Sequence, residues 1–121
     1  MKKLPLALLF AALLTLPALA APSFTLSING KPYADAPVAV TVGKVFTVEL
    51  ALSGATTGQL YVPSVPQLAS HGGSGMPGDK VSIYDFYLTP LRPGDITIPA
   101  FEIVTSGGKL PIKPIRLHAA P

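Results

Sequence analysis

Beyond residue 22 apolar residues recur at every second position along most of the chain, a period that predicts strands. The stretch Val81–Phe101 carries it most clearly. Tyr84, Phe86 and Leu88 fall on one side, and Asp85, Tyr87 and Thr89 on the other. A corner follows from Thr89 to Asp95, in which Pro90 and Pro93 fix φ and Gly94 permits a positive φ. The alternation then resumes through Ile96 and Ile98, with Asp95 and Thr97 turned outward. Two half-buried strands crossing between the sheets of a small sandwich produce this pattern.

Upstream, Phe24, Leu26 and Ile28 alternate with Ser23, Thr25 and Ser27, and Asn29-Gly30 predicts a two-residue turn with positive φ. Pro32–Pro37 is too proline-rich for a central strand and predicts an edge. Val38, Val40 and Val42 resume period two before Gly43-Lys44 turns the chain. Val45–Leu52 is the clearest strand: Phe46, Val48, Leu50 and Leu52 face a core, while Thr47, Glu49 and Ala51 face solvent. Burying four such side chains contributes on the order of 6–12 kcal/mol before conformational entropy is counted.

Between Gly54 and Lys80 the pattern loosens. Gln59–Val62 predicts a short strand, stopped by Pro63 and Pro66. Gln67–Asp79, with four glycines, predicts a mobile loop or a frayed edge strand, a place where binding residues concentrate. Later, Phe101–Val104 and Leu110–Leu117 flank a hairpin turn at Ser106–Lys109. Apolar positions change parity at Pro99 on one arm and at Pro114 on the other. A turn centred on Gly107-Gly108 sets these prolines nearly opposite each other, which predicts a paired bulge or bend. Pro111, Lys113 and Pro114 suit an edge protected against strand addition.

About seven short strands and no helical period after residue 20 define an all-β chain: an immunoglobulin-like antiparallel Greek-key sandwich. The hallmark buried Trp and bridging Cys pair of immunoglobulin domains are absent, since the chain holds neither residue type.

Residues 1–20 read differently. Lys2 and Lys3 precede the apolar run Leu4–Leu16, and Ala18-Leu19-Ala20 supplies a small-x-small cleavage pattern. The run is shorter than the roughly 20 residues that a membrane-spanning helix needs. A signal peptide cleaved after Ala20 is expected, with one domain at 21–121, released into the periplasm or secreted without a membrane anchor. Its removal takes two of the nine basic residues, so the net charge falls from +3 to +1. The remaining Lys and Arg are scattered, which argues against nucleic-acid binding. The absence of cysteine excludes disulfides, thiolate metal sites and a cysteine nucleophile.

Candidate chemistry is sparse. His71-Gly72-Gly73-Ser74-Gly75 has the composition of an oxyanion loop, but Met76 stands where a G-x-S-x-G nucleophile motif needs glycine. His71 and His118, with Asp79 or Asp85, lack metal-ligand spacing, and no cofactor is expected. Asp85, Asp95 and Glu102 are the carboxylates available for glycoside acid–base chemistry, and each reads as a turn or solvated-face residue. Tyr33, Tyr61, Tyr84 and Tyr87 raise a further reading, a carbohydrate-binding module stacking tyrosines on sugar rings.

Ala39–Val48 followed by Leu50–Gly54 is similar to the opening of a repeat domain in BatD-type oxygen-tolerance proteins. Tyr87–Phe101 resembles a later run of that domain, and Gly107-Gly108-Lys109 with Pro114–Leu117 its last hairpin. The similarity spans about Phe24–Leu117 and rests on strand and turn motifs. It implies an exported, non-catalytic module working beside proteins with von Willebrand factor A-type domains and a MoxR-type ATPase, here as a single-domain relative without the membrane anchor. The interaction surface expected for a protein partner is Gly54–Asp79 plus one outward sheet face, with Tyr61, Val62, His71, Met76, Asp85 and Tyr87 as its candidate residues.

Overall fold

The computed structural model describes residues 22–55, 57 and 60–121. The expected signal peptide lies outside the described residues. Those residues form ten strands and no helix: β1 Ser23–Ile28, β2 Lys31–Pro32, β3 Val38–Thr41, β4 Phe46–Ser53, β5 Leu68–Met76, β6 Val81–Pro90, β7 Gly94–Ile98, β8 Phe101–Thr105, β9 Gly108–Ile112 and β10 Ile115–Ala120.

Three sheets result. The largest has the order β2-β1-β4-β6-β5, antiparallel throughout. A second has the order β3-β10-β7, and β8-β9 is a separate hairpin. The fully antiparallel expectation is corrected at one place: β3 runs parallel to β10, with Leu117 beside Val38. The strand count also exceeds the expected seven or so, because the prolines cut each arm of the final hairpin in two and because β2 and β5 form at the edges.

The expected alternation is clearest in β4. Phe46, Val48, Leu50 and Leu52 are all at most 2% exposed. Phe46 and Val48 pack with Ile28 and Leu88 against Val40, Ile96, Ile98, Ile115, Leu117 and Ala119 of the second sheet. Leu50 and Leu52 pack instead against Ile103 and Ile112 of the β8-β9 hairpin. The largest sheet thus faces two smaller ones across a shared apolar interior, an arrangement that fits a β-sandwich.

The turns follow their residues. Asn29 and Gly30 have φ of 52° and 81°, the positive values that a tight hairpin turn requires. Asn29 also closes the ends of β1 and β4: its backbone N–H donates to the Thr47 carbonyl and its Oδ1 accepts from the Thr47 N–H, at 2.9 and 3.0 Å. The corner between Pro90 and Gly94 carries the chain from the first sheet to the second, as its prolines and glycine foretold.

The parity change resolves into a bend, not a bulge. Ile98 pairs with Ile115 and Phe101 with Ile112, so no residue is inserted on either arm. Pro99 therefore lies opposite Pro114. The hairpin turn is Ser106-Gly107, one position earlier than expected, since Thr105 pairs with Gly108. Pro114 breaks the ladder and leaves backbone groups needing partners. The Tyr33 hydroxyl supplies them, accepting from Arg116 N–H at 3.0 Å and lying 3.3 Å from the Pro114 carbonyl as donor.

Leu52→Ala should cost about 2–5 kcal/mol in denaturant unfolding, the price of a cavity in a filled interior, whereas Val104→Ala, on an exposed position, should stay within about 0.5 kcal/mol.

Candidate functional site

The Gly-rich segment is an edge strand. Leu68–Met76 pairs along β6 from Leu68↔Pro90 to Met76↔Ile83, with a register shift between Ser70 and Gly73. Of the two alternatives, mobile loop or frayed edge strand, the edge strand is the one formed. Leu60–Val62, by contrast, is not a strand; Pro63 and Pro66 keep this stretch out of the ladders, and Gln59 lies outside the described residues.

Beyond Ser70 the inward side of β5 carries no side chains. Gly73 sits opposite Phe86 and Gly75 opposite Tyr84. A Cβ on Gly73 would lie 2.5 Å from the Asp85 backbone carbonyl oxygen and 3.0 Å from the Phe86 ring, and one on Gly75 3.2 Å from the Tyr84 ring. Glycine at 73 is a requirement of close backbone approach, and at 75 the Tyr84 ring leaves little room for a side chain. Leu60–Val65 passes over the same side. Between them lies a groove of about 480 Å³, with Tyr84, Phe86 and Leu88 on one wall and Tyr61, Val62 and Val65 on the other. Ser64 and Ser70 bring hydroxyls, and no charged side chain reaches the lining. Tyr61 stands at the rim, 71% exposed.

The outward side is different in character. The β4–β6 register sets Glu49 directly opposite Asp85, and Asp85 is in turn opposite Ser74, while Glu49 is opposite Ser27. A polar row, Ser27–Glu49–Asp85–Ser74, therefore crosses four strands. Asp85 Oδ1 is shielded from solvent and has no hydrogen-bond partner among the described residues. The Glu49 carboxyl is held above its ordinary value, first by burial, then by the hydrogen bond and the charge it shares with Asp85. Like charges directly opposite each other on a sheet are unfavourable, and a proton on Glu49 relieves this.

The six candidate residues do not form one surface. Tyr61 and Val62 line the groove, whereas Asp85, Tyr87, His71 and Met76 belong to the outward face, on the far side of the same sheet. Met76 is 72% exposed beside Ile83. His71 Nε2 lies 2.7 Å from Thr89 Oγ1. That places it about 13 Å along β6 from Asp85, by strand rise, so Ser74, His71 and Asp85 do not converge. Of the carboxylates considered for acid–base work, Asp95 holds His118 at 2.8 Å on the exposed surface, and Glu102 lies on β8. The true neighbour of Asp85 is Glu49, which sequence reasoning placed outward without pairing it; the β4–β6 register is the missing signal. Neither carboxylate lines the groove or the second hollow, about 430 Å³, between β1 and β9. No group of three or more His, Asp and Glu side chains poised to hold a metal occurs among the described residues.

No protein-family model, no curated protein and no solved structure matches the chain.

The Glu49–Asp85 pair sets a pH dependence. A carboxyl whose folded-state pKa lies above its unfolded one binds protons preferentially in the folded protein, so its contribution is full below about 4.5 and is lost as pH rises through the folded value. Glu49→Gln should therefore raise the thermal midpoint at neutral pH, and the gain should shrink to nothing as the pH falls below the ordinary carboxylate range.

Proposed function

We propose that the chain is an exported, non-catalytic protein-interaction module of immunoglobulin-like type, which binds a protein of the cell envelope through the groove beside β5. The strand order supports the fold reading. The series β1-β4-β6-β5 follows the A-B-E-D order of an immunoglobulin sheet, and β10-β7 its G-F pair. Residues 60–65 then occupy the place of strand C in the chain order, and their irregular path is what opens the groove. The BatD-type resemblance supports the partner class: proteins with von Willebrand factor A-type domains, beside a MoxR-type ATPase. The Lys-Lys and apolar N-terminus supports export to the periplasm.

The observation that carries the reading is the groove lining. Aromatic and aliphatic side chains with a few hydroxyls and no charge suit the apolar side chains of a protein segment, with Tyr61 as an exposed anchor. A carbohydrate site holds a sugar with carboxylates, amides or guanidinium groups around its stacking rings, and this groove has none.

Removing Ser70–Gly78 would delete most of β5 and uncover Phe86 and Tyr84, so a single substitution outside the strands is the cleaner test. Tyr61→Ala leaves the ladders untouched. In a crosslinking pull-down from periplasm, the native protein should retain a von Willebrand A-type protein and the Tyr61→Ala variant should lose at least tenfold of it, with an unchanged unfolding midpoint. Retention on polysaccharide that depends on Tyr61, with no protein captured, would establish the carbohydrate module instead.

A further inference from the structure

The edges of the sheets are not alike. β2 is two residues long and contains Pro32; β3 is four residues long and follows Pro37; β9 carries Lys109 and Pro111; β7 and β8 are five residues each and carry Asp95 and Glu102. Each has a device that discourages a further strand. Apart from its register shift, β5 has none. It runs nine residues, Leu68–Met76, with neither proline nor lysine, and pairs with β6 alone. Every second residue of an antiparallel edge strand directs its N–H and C=O away from the sheet, where a strand of another chain can take them up.

The two faces of β5 specify what that strand must carry. On the inward face Gly73 and Gly75 leave the groove open beside the edge, so residues laid opposite them have about 480 Å³ of apolar space to fill. On the outward face Ser74 separates the edge from Asp85 and Glu49. No Lys or Arg occurs on β1, β4, β5 or β6, so these carboxylates have no cation within their own four strands. A Lys or Arg opposite Ser74, with its long stem, reaches across that short side chain toward them.

Resting on the protein-recognition reading above, we propose that β5 is a docking edge for an extended segment of the partner, with large apolar residues facing Gly73 and Gly75 and a basic residue between them facing Ser74. A second copy of this chain fits poorly as occupant. Pairing β5 with itself sets glycines against glycines, leaves both grooves unfilled and supplies no cation.

Synthetic nine-residue peptides, matched to the length of β5, test this on the purified protein by calorimetry. A peptide centred on Leu-Lys-Leu should bind, and its Leu-Glu-Leu counterpart should bind about tenfold more weakly. Glu49→Gln combined with Asp85→Asn should erase that ratio while leaving the unfolding transition cooperative. Methylating alternate backbone nitrogens of the Leu-Lys-Leu peptide should abolish binding, since it removes the ladder donors and keeps the side chains. Equal binding of the Lys and Glu peptides, indifference to methylation, or self-association of the protein through β5 would each overturn the proposal. Tyr61-dependent capture of a protein partner with no peptide binding would overturn strand addition while leaving protein recognition in place.

Discussion

The contact between the inward face of β4 and everything opposite it is what the molecule depends on. Phe46 and Val48 meet the β3-β10-β7 sheet, and Leu50 and Leu52 meet the β8-β9 hairpin, so one strand serves both halves of the interior. A one-residue slip of β4 would turn all four outward and drive Thr47, Glu49, Ala51 and Ser53 inward. That would forfeit on the order of 6–12 kcal/mol of apolar burial and add a buried carboxylate. Register is therefore dictated by the interior. The Glu49–Asp85 juxtaposition on the outside is a consequence of it, an unfavourable pairing that the core can carry because it is much the smaller effect.

The opposed prolines explain why the interior has two halves. Pro99 and Pro114 interrupt both arms of the final hairpin at the same level without changing its register. The strands beyond them turn a different set of residues inward: Ile96 and Ile98 before the break, Ile103 after it. A hairpin without the break would lie over one half of β4 and leave Leu50 and Leu52 uncovered. The backbone groups that the break frees are met by Tyr33 from the segment joining the first sheet to the second, where the Arg116 guanidinium also donates to the Asp35 carbonyl. A local interruption thus fastens the crossing segment to the last strand.

These features differ in how far they can be read from residues alone. The inward positions of β1, β4, β7 and β10, the Asn29-Gly30 turn and the paired break at the prolines are all local patterns of period, turn chemistry and missing donors. The parallel β3–β10 pairing is not local, because Val38 and Leu117 meet only after the chain has closed on itself. The same holds for the functional face. Asp85, Tyr61 and Met76 were visible as exposed or polar positions. Their division between two sides of one sheet, and the placing of Glu49 against Asp85, follow from strand pairing across a long separation in sequence. The glycines illustrate the limit. Composition leaves Gly72–Gly75 as loop or frayed edge, whereas in the fold a Cβ on Gly73 would meet the Asp85 carbonyl and the Phe86 ring, and one on Gly75 the Tyr84 ring.

Those glycines also bear on why the β5 edge is built as it is. Each glycine in a strand costs roughly 0.5–1 kcal/mol relative to alanine, and an unguarded edge invites aggregation. A fold selected for stability alone would hold β5 far enough from the Asp85 carbonyl to admit β-branched residues at positions 73 and 75, which would cover Leu88 and the inward faces of Tyr84 and Phe86. Instead the rings cover the glycines, and the space above them is left open between β5 and residues 60–65. The other edges show that the chain has the means to protect a strand, in Pro32, Pro37, Lys109 and Pro111. An edge that gives up side-chain packing and, beyond its register shift, protection as well, next to an uncharged groove, is one whose vacant hydrogen bonds have a use.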